Sequence, residues 1–269
     1  MRFAGKTVVV TGSGRHRGLG QGILQRFADE GANCVVSDLA IDTEAEAVAE
    51  DLRGRGAQVA TLACDVSQAV QCAALIDQTV AQFGAIDVLV NNAGIGFMMK
   101  PLLEVDRADW DKVIAVNLSG AFYCTQAAAK AMIARSEKAE NRGGRIINIA
   151  SQAAITVFPH LPAYVSSKHG MIGLTRASAV ELGAHAITVK AVCPNHVTTA
   201  LGAEQNAYFS KLLGFPSVEA YLANMAAKNP MGRPGLPSDT AAACAWLASD
   251  EAGYITGEAL NVSGGEEMH

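Results

Sequence analysis

The chain has no stretch of about 18 uninterrupted apolar residues, so no membrane-spanning helix is expected. It also lacks any dense run of lysine and arginine. With 21 basic against 26 acidic side chains, a net charge of -5 and a pI near 5.7, it offers no electrostatic footprint for nucleic acid or an anionic membrane. Internal repeats and low-complexity tracts are absent. Charged residues make up only 17% of the chain and hydrophobic ones 50%, a balance that argues against long disordered segments. The six cysteines, Cys34, Cys64, Cys72, Cys124, Cys193 and Cys244, form no CxxC pair and have no histidine at ligand spacing, which argues against a metal site. Several sit in apolar strand-like runs, so they read as reduced core residues of a cytoplasmic protein. The opening MRFAGKTVVVTG has an apolar run too short for a signal-peptide core. Small-molecule chemistry is the expectation that remains.

What is present is alternation. Short β-branched runs (KTVVVT, NCVVSD, QVATLAC, IDVLVN, GRIINIA, AITVKAVC, EALNV) are separated by helical patterns at about Gly18–Glu30, Asp42–Arg55, Ser67–Phe83, Arg107–Arg135 and Ala163–Leu182. Near-continuous apolar strands between amphipathic helices require a parallel sheet covered on both faces. The fold class is therefore α/β, a single domain over 1–269 with a doubly wound parallel sheet. Asn141–Gly144 reads as a polar turn before a strand. The least regular part, 198–237, holds one helix-capable stretch, SVEAYLANMAAK, and follows the sixth strand's carboxyl end, where a helical substrate lid is expected.

Two constellations carry chemistry. The turn TGSGRHRGLG joins the first strand to a helix, and Gly12, Gly14, Gly18 and Gly20 allow a pyrophosphate to approach backbone N–H groups at the helix N-terminus. Asp38 ends the second strand, where a carboxylate accepts from an adenosine ribose or, in the ordinary reading, caps a helix. Tyr164 and Lys168 stand four apart on one helical face, so an ammonium lies beside a phenol and is expected to lower its pKa. Ser151 follows a strand end, where its hydroxyl can orient a carbonyl or an alcohol. Taken singly, each residue has an ordinary packing or turn role; the combination points to acid–base catalysis.

These residues resemble the short-chain dehydrogenase/reductase family from Lys6 to Gly265. NNAG stands at Asn91–Gly94, and the catalytic serine at Ser151. YxxxK stands at Tyr164 and Lys168, the additional catalytic asparagine at Asn117 in AVNLSG, and the adenine-pocket element at Asp65 and Val66 in CDVS. The resemblance implies a Rossmann-type sheet and hydride transfer between a nicotinamide and a secondary alcohol or ketone. Asn117, Ser151, Tyr164 and Lys168 would be catalytic. The cofactor would be held by Gly12, Gly14, Arg17, Gly18, Leu19 and Gly20, by Asp38 and Leu39, and by Asp65 and Val66. Asn92, Ala93 and Gly94, Tyr164 and Lys168, and Pro194, Val197 and Thr199 complete that set. Ser151, Gln152, Tyr164, Asn195 and His196 are the candidate substrate contacts, with His160 as a solvated loop residue.

The chain departs from the family pattern in three places. Five residues rather than three separate Gly12 from Gly18, Asn195 replaces the glycine of a Pro-Gly pair, and Lys190 replaces a residue that is often asparagine. Arg17 suggests a partner for the 2′-phosphate of NADP. Asp38 opposes it, because two unit charges about 4 Å apart at an effective dielectric near 20 repel by roughly 4 kcal/mol before screening. NAD is the expected cofactor, with NADP the alternative. A homotetramer is implied, with the Arg107–Arg135 and Ala163–Leu182 helices at an interface and Gly170, Gly173, Ala177, Ser178 and Ala179 permitting close approach. The rival readings are a 3-oxoacyl-thioester reductase and a dinucleotide-sensing regulator without chemistry. The first would want a basic lid, and here Lys211 and Lys228 stand against Glu204 and Glu219. The second would be marked by loss of Tyr164 or Lys168, and both are present.

Overall fold

The β-branched runs form seven strands: β1 (Thr7–Thr11), β2 (Asn33–Asp38), β3 (Val59–Ala63), β4 (Val88–Asn91), β5 (Gly144–Ile149), β6 (Ile187–Pro194) and β7 (Ala259–Val262). They pair in parallel in the order β3-β2-β1-β4-β5-β6-β7. The helices are α1 (Leu19–Asp29), α2 (Thr43–Gly54), α3 (Ala69–Phe83), α4 (Arg107–Ile114), α5 (Gly120–Ser136), α6 (Pro162–Leu182), α7 (Ala200–Leu212), α8 (Val218–Lys228) and α9 (Pro237–Ala248). This computed structural model describes residues 1–96, 98–136, 143–197 and 199–268. Positions 141 and 142 of the expected polar turn and Thr198, the expected start of the lid, lie outside the described residues.

Strand alternation builds two cores. Val8 and Val10 of β1 point into one, with Ile23, Leu24 and Phe27 of α1 and Cys244 and Leu247 of α9. Val9 points into the other, with Leu75 and Ile76 of α3 and Cys124 and Met132 of α5. Each such fully buried aliphatic side chain contributes about 1.5–3 kcal/mol relative to exposure. Strand order reverses between β1 and β4, so the crevice that receives ligands opens above the carboxyl ends of these two strands.

The helix expected over Arg107–Arg135 is interrupted. α4 ends at Ile114, Ala115–Ser119 form a π-helical turn, and α5 begins at Gly120. The expected lid contains two helices, α7 and α8, of which the sequence pattern marks only the second. α9 was not marked at all.

Lys190, the third departure from the family pattern, is fully buried on β6. Its Nζ donates to Leu247 O (2.5 Å), in the last turn of α9 where carbonyls lack an internal partner, and to Ala252 O (2.9 Å), which also accepts from Ile255 N–H (3.1 Å). Burial pushes its pKa down to about 8. A second buried network lies under the crevice. Asn91 Nδ2 donates to Asn148 Oδ1 (2.8 Å) and Thr125 Oγ1 (3.0 Å), and Asn148 Nδ2 donates to Thr175 Oγ1 (2.9 Å). It ties β4 and β5 to α5 and α6, and so fixes the helix that carries Tyr164 and Lys168.

Candidate active site

The first turn is shaped for an anion. Gly12 has φ +63°, and a Cβ there would stand 2.7 Å from the Ala93 Cα; one at Gly20 would stand 2.7 Å from the Ser13 Cα. Gly18 caps α1 without a side chain, which leaves the helix N-terminus available to a phosphate. Asn92 pins the cradle. Its Nδ2 donates to Thr11 O (2.9 Å) and Gly12 O (2.8 Å), while Thr11 Oγ1 accepts from the backbone N–H groups of Asn92 and Ala93 (3.1 Å each). Leu19 is half-buried behind the turn. These residues fit a dinucleotide pyrophosphate.

The two extra residues of the loop form a turn in which Gly18 N–H donates to Arg15 O (3.0 Å) and Arg17 takes φ +56°. Arg17 is exposed. Arg15 is turned aside: its Nη1 pairs with Asp42 (2.7 Å) and Glu44 (3.1 Å). Asp38 holds its place at the end of β2 by accepting from Gly14 N–H (2.9 Å) and Leu39 N–H (2.8 Å). The Leu39 side chain itself is exposed. Asp65 Oδ1 accepts from Ser67 N–H (3.0 Å) and Oγ (2.7 Å), and Val66 is buried against Gly120.

On the other side of the crevice the π-turn aims Asn117 inward. Its side chain is fully buried, accepts from Ile95 N–H (2.8 Å), and donates to Ile95 O (2.9 Å) and Ser167 Oγ (3.1 Å). π-turns recur at functional sites, and this one locks the loop after β4. Gly94 lies over the set: a Cβ there would be 3.4 Å from Asn117 Oδ1 and 3.7 Å from Lys168 Nζ. Ser151 Oγ accepts from Ala153 N–H (3.1 Å), and its hydroxyl acts to lower the Tyr164 phenol's pKa. Lys168 Nζ sits 5.6 Å from the Tyr164 ring centroid and donates to Ile149 O (2.8 Å).

The phenol does not follow the expectation of a lowered pKa. Burial pushes Tyr164 up, and the Ser151 hydrogen bond pulls it partly back. Burial also drives the Lys168 pKa down, to about 8, and its nitrogen donates to Ile149 O.

Gln152 is buried beside Ser151. Asn195 turns its amide away from the crevice, donating to Ser263 O (3.0 Å) and Glu266 Oε2 (2.6 Å). His196 is part-buried; burial lowers its pKa and Glu266 pulls it up. Pro194 is buried at the end of β6, Val197 bridges to Gly235, and Thr199 caps α7. His160 is no free loop residue. Its Nδ1 lies 2.7 Å from Tyr208 Oη on α7, and its φ is +64°. Two features had no sequence signal. Gln205 Nε2 of α7 donates to Gly96 O (2.7 Å), so the lid clasps the loop beside Tyr164, and the Arg15–Asp42–Glu44 cluster joins residues from separate elements. Leu161, Phe209 and Tyr221 line the lid's inner side with Tyr164 packed against them. Among the described residues no group of His, Cys, Asp and Glu could hold a metal ion, and no helix is long and apolar enough to cross a membrane.

A titratable phenol facing a dinucleotide cradle across one crevice is the arrangement of an oxidoreductase, in which a proton passes through the phenol while hydride moves to or from a nicotinamide. Residues 12–267 match the family model described as enoyl-(acyl carrier protein) reductase. The chain is 36% identical to a 3-oxoacyl-(acyl-carrier-protein) reductase of Staphylococcus aureus, over 98% of each chain. It is 37% identical to the D-threitol dehydrogenase of Mycolicibacterium smegmatis, over 98% of this chain and 94% of that one. The structure of an NAD+-bound xylitol dehydrogenase superposes with TM-score 0.91 at 28% identity, covering 98% of this chain and 100% of the other. The protein belongs to the short-chain dehydrogenase/reductase family.

Proposed function

We propose that the protein interconverts a small secondary alcohol (a polyol, a sugar or another hydroxy compound) and its ketone, with NAD as the hydride carrier. The observation that carries the chemistry is the convergence of Ser151, Tyr164 and Lys168 beyond the carboxyl end of β5: Ser151 pulls the Tyr164 phenol's pKa down, and Lys168 Nζ lies 5.6 Å from its ring centroid. Asp38 would accept from the adenosine ribose, the Gly12–Gly20 turn would take the pyrophosphate, and Asp65 and Val66 would border the adenine. Ala93 and Gly94 would lie along the nicotinamide ribose, which Lys168 would bind, and Pro194, Val197 and Thr199 would approach the carboxamide. A bound nicotinamide supplies the hydride acceptor or donor. Ser151 orients the substrate oxygen, with Gln152 and His196 beside it. Tyr164 Oη takes the proton in oxidation and returns it in reduction, and Asn117 anchors the relay outward.

The threitol and xylitol dehydrogenases, by their names, act on polyols, which supports a polyhydroxy substrate. For the acyl-carrier alternative, the lid's Lys211, Lys228 and Arg233 stand against Glu204 and Glu219, and Arg233 is paired with Asp239, so the lid is not distinctly basic. We read 1–269 as one domain with 198–237 as its lid, cytoplasmic, with all six cysteines free and buried. We read it as a homotetramer joined through α4, α5 and α6, where Trp110, Phe122 and Val180 are exposed. On α6 the open positions are Gly173, Ala177 and the part-buried Ser178, whereas Gly170 packs on Leu118 and Ala179 lies in the chain's own core.

Oxidation needs the Tyr164 phenolate, so kcat/KM for the alcohol should rise with pH in the alkaline range. Because Ser151 lowers the phenol's pKa, Ser151→Ala is expected to reduce the rate and move that rising limb upward. A limb that stays in place would separate Ser151 from the titration.

Cofactor choice is tested at Asp38. The ratio of kcat/KM with NAD to that with NADP should exceed one in the wild type and fall at least about tenfold in Asp38→Ser, once screening has reduced the bare repulsion. A wild type that prefers NADP, or an unchanged ratio in the variant, counts against Asp38 as the determinant. A panel of polyols, sugars, hydroxy acids and cyclic alcohols assayed for nicotinamide reduction tests the substrate class.

A further inference from the structure

We propose that Asp42 and Glu44, at the N-terminus of α2, set the cofactor preference by holding Arg15 away from the adenosine ribose, so that Arg15 is a restrained partner for a 2′-phosphate. The inference rests on the dinucleotide reading above. Three pieces of geometry carry it. Arg15 Nη1 reaches both carboxylates, at 2.7 Å and 3.1 Å. Each carboxylate has a second task that fixes its position: Asp42 Oδ1 caps α2 by accepting from Glu44 N–H (3.1 Å) and Ala45 N–H (3.0 Å), and Glu44 Oε1 accepts from His16 N–H (2.8 Å). Gly14, next to Arg15 in the chain, is bonded to Asp38 Oδ2, which places the root of the Arg15 side chain at the ribose end of the crevice. Asp38 also adds to the electrostatic hold on Arg15, behind the hydrogen bonds that Arg15 donates to Asp42 and Glu44.

The two-residue extension of the first loop thus supplies an arginine rooted beside the ribose end, and the two carboxylates at the start of α2 hold and neutralise it. Around the ribose end, Asp38, Asp42 and Glu44 face Arg15 and Arg17, an excess of one negative charge. A 2′-phosphate carrying nearly two charges meets that excess, whereas the ribose hydroxyls of NAD do not. Removing the Asp42 and Glu44 charges reverses the local sign and frees a guanidinium whose planar fork suits a phosphate. Arg17 is exposed and unchanged between the variants, so it cancels from the comparison.

The test is binding, read by calorimetric titration of the full-length protein with NAD+ and with NADP+, without substrate. In Asp42→Asn/Glu44→Gln, asparagine keeps the helix cap and glutamine keeps an oxygen for His16 N–H. The NADP+ dissociation constant is expected to fall about tenfold, the scale of one charge-assisted contact, while that for NAD+ stays within about threefold. Glu44→Gln alone should give a smaller change of the same sign. Adding Arg15→Ala to the double variant should abolish the gain. An unchanged NADP+ constant overturns the proposal, and so does a gain that survives loss of Arg15, since the carboxylates would then act by repulsion alone. Should the wild type bind NADP+ more tightly than NAD+, the reading of Asp38 fails, yet the change between variants still reports on the Arg15 clamp.

Discussion

Tyr164→Phe is expected to fold, to bind the dinucleotide and to lose at least about a hundredfold in turnover, the usual cost of removing a general acid or base. The variant keeps the ring that packs against Leu161, Phe209 and Tyr221 and removes only the titrating hydroxyl. The lid and the cradle are therefore left alone. Equilibrium dinucleotide binding with steady-state turnover on the same preparation separates the two effects. Near-full activity would end the mechanism, and loss of binding together with activity would place Tyr164 in the architecture of the crevice instead of in its chemistry.

The largest effect on stability is expected at Lys190→Met. The replacement keeps the length of the side chain and removes the donor to Leu247 O and Ala252 O; Ala252 O keeps the Ile255 N–H (3.1 Å), so Leu247 O is the buried carbonyl left unpaired, at about 1–3 kcal/mol. A loss of about 1–3 kcal/mol by denaturant titration is the outcome that fits; a change under about 0.5 kcal/mol would show that Leu247 O finds another donor. The effect has a pH signature. Unfolded, the lysine keeps its ordinary value of 10.5; folded, burial brings it to about 8. Between those values the unfolded chain binds the extra proton, so the lysine's contribution to stability grows as pH rises through that window and is smallest below it. The gap between wild type and Lys190→Met should widen from pH 8 toward pH 10.

Legibility in the sequence followed periodicity. The seven strands were readable because their valines and isoleucines are nearly continuous and bounded by turns, and Tyr164, Lys168 and Ser151 because helical spacing and a strand end place them without further information. α9 was not, since AAACAWLA is apolar on every side and packs between α1 and the sheet, which leaves no polar stripe to mark a helix. The π-turn at Ala115–Ser119 was hidden for a related reason: a one-residue slip in hydrogen bonding leaves no trace in composition. Gln205 and the Asp42–Glu44 clamp depend on tertiary proximity across long stretches of chain. Lys190 was visible as an anomaly, and only the end of α9 supplied its cause. Helical spacing gives Tyr164 its proximity to Lys168 but not the desolvation that raises the phenol's pKa and lowers the ammonium's.

Asn92 gives this architecture a further property. The groups proposed to hold the adenosine end come from Gly12–Val66, and those proposed for the chemistry come from Asn117–Thr199. The two sets meet at the β1–β4 seam, where the Asn92 amide spans Thr11 and Gly12. Inheritance can therefore act on them separately. A lineage can exchange its redox currency by edits in the first segment while keeping its substrate, or change substrate through the lid while keeping its currency, provided the asparagine at the seam keeps both halves in register.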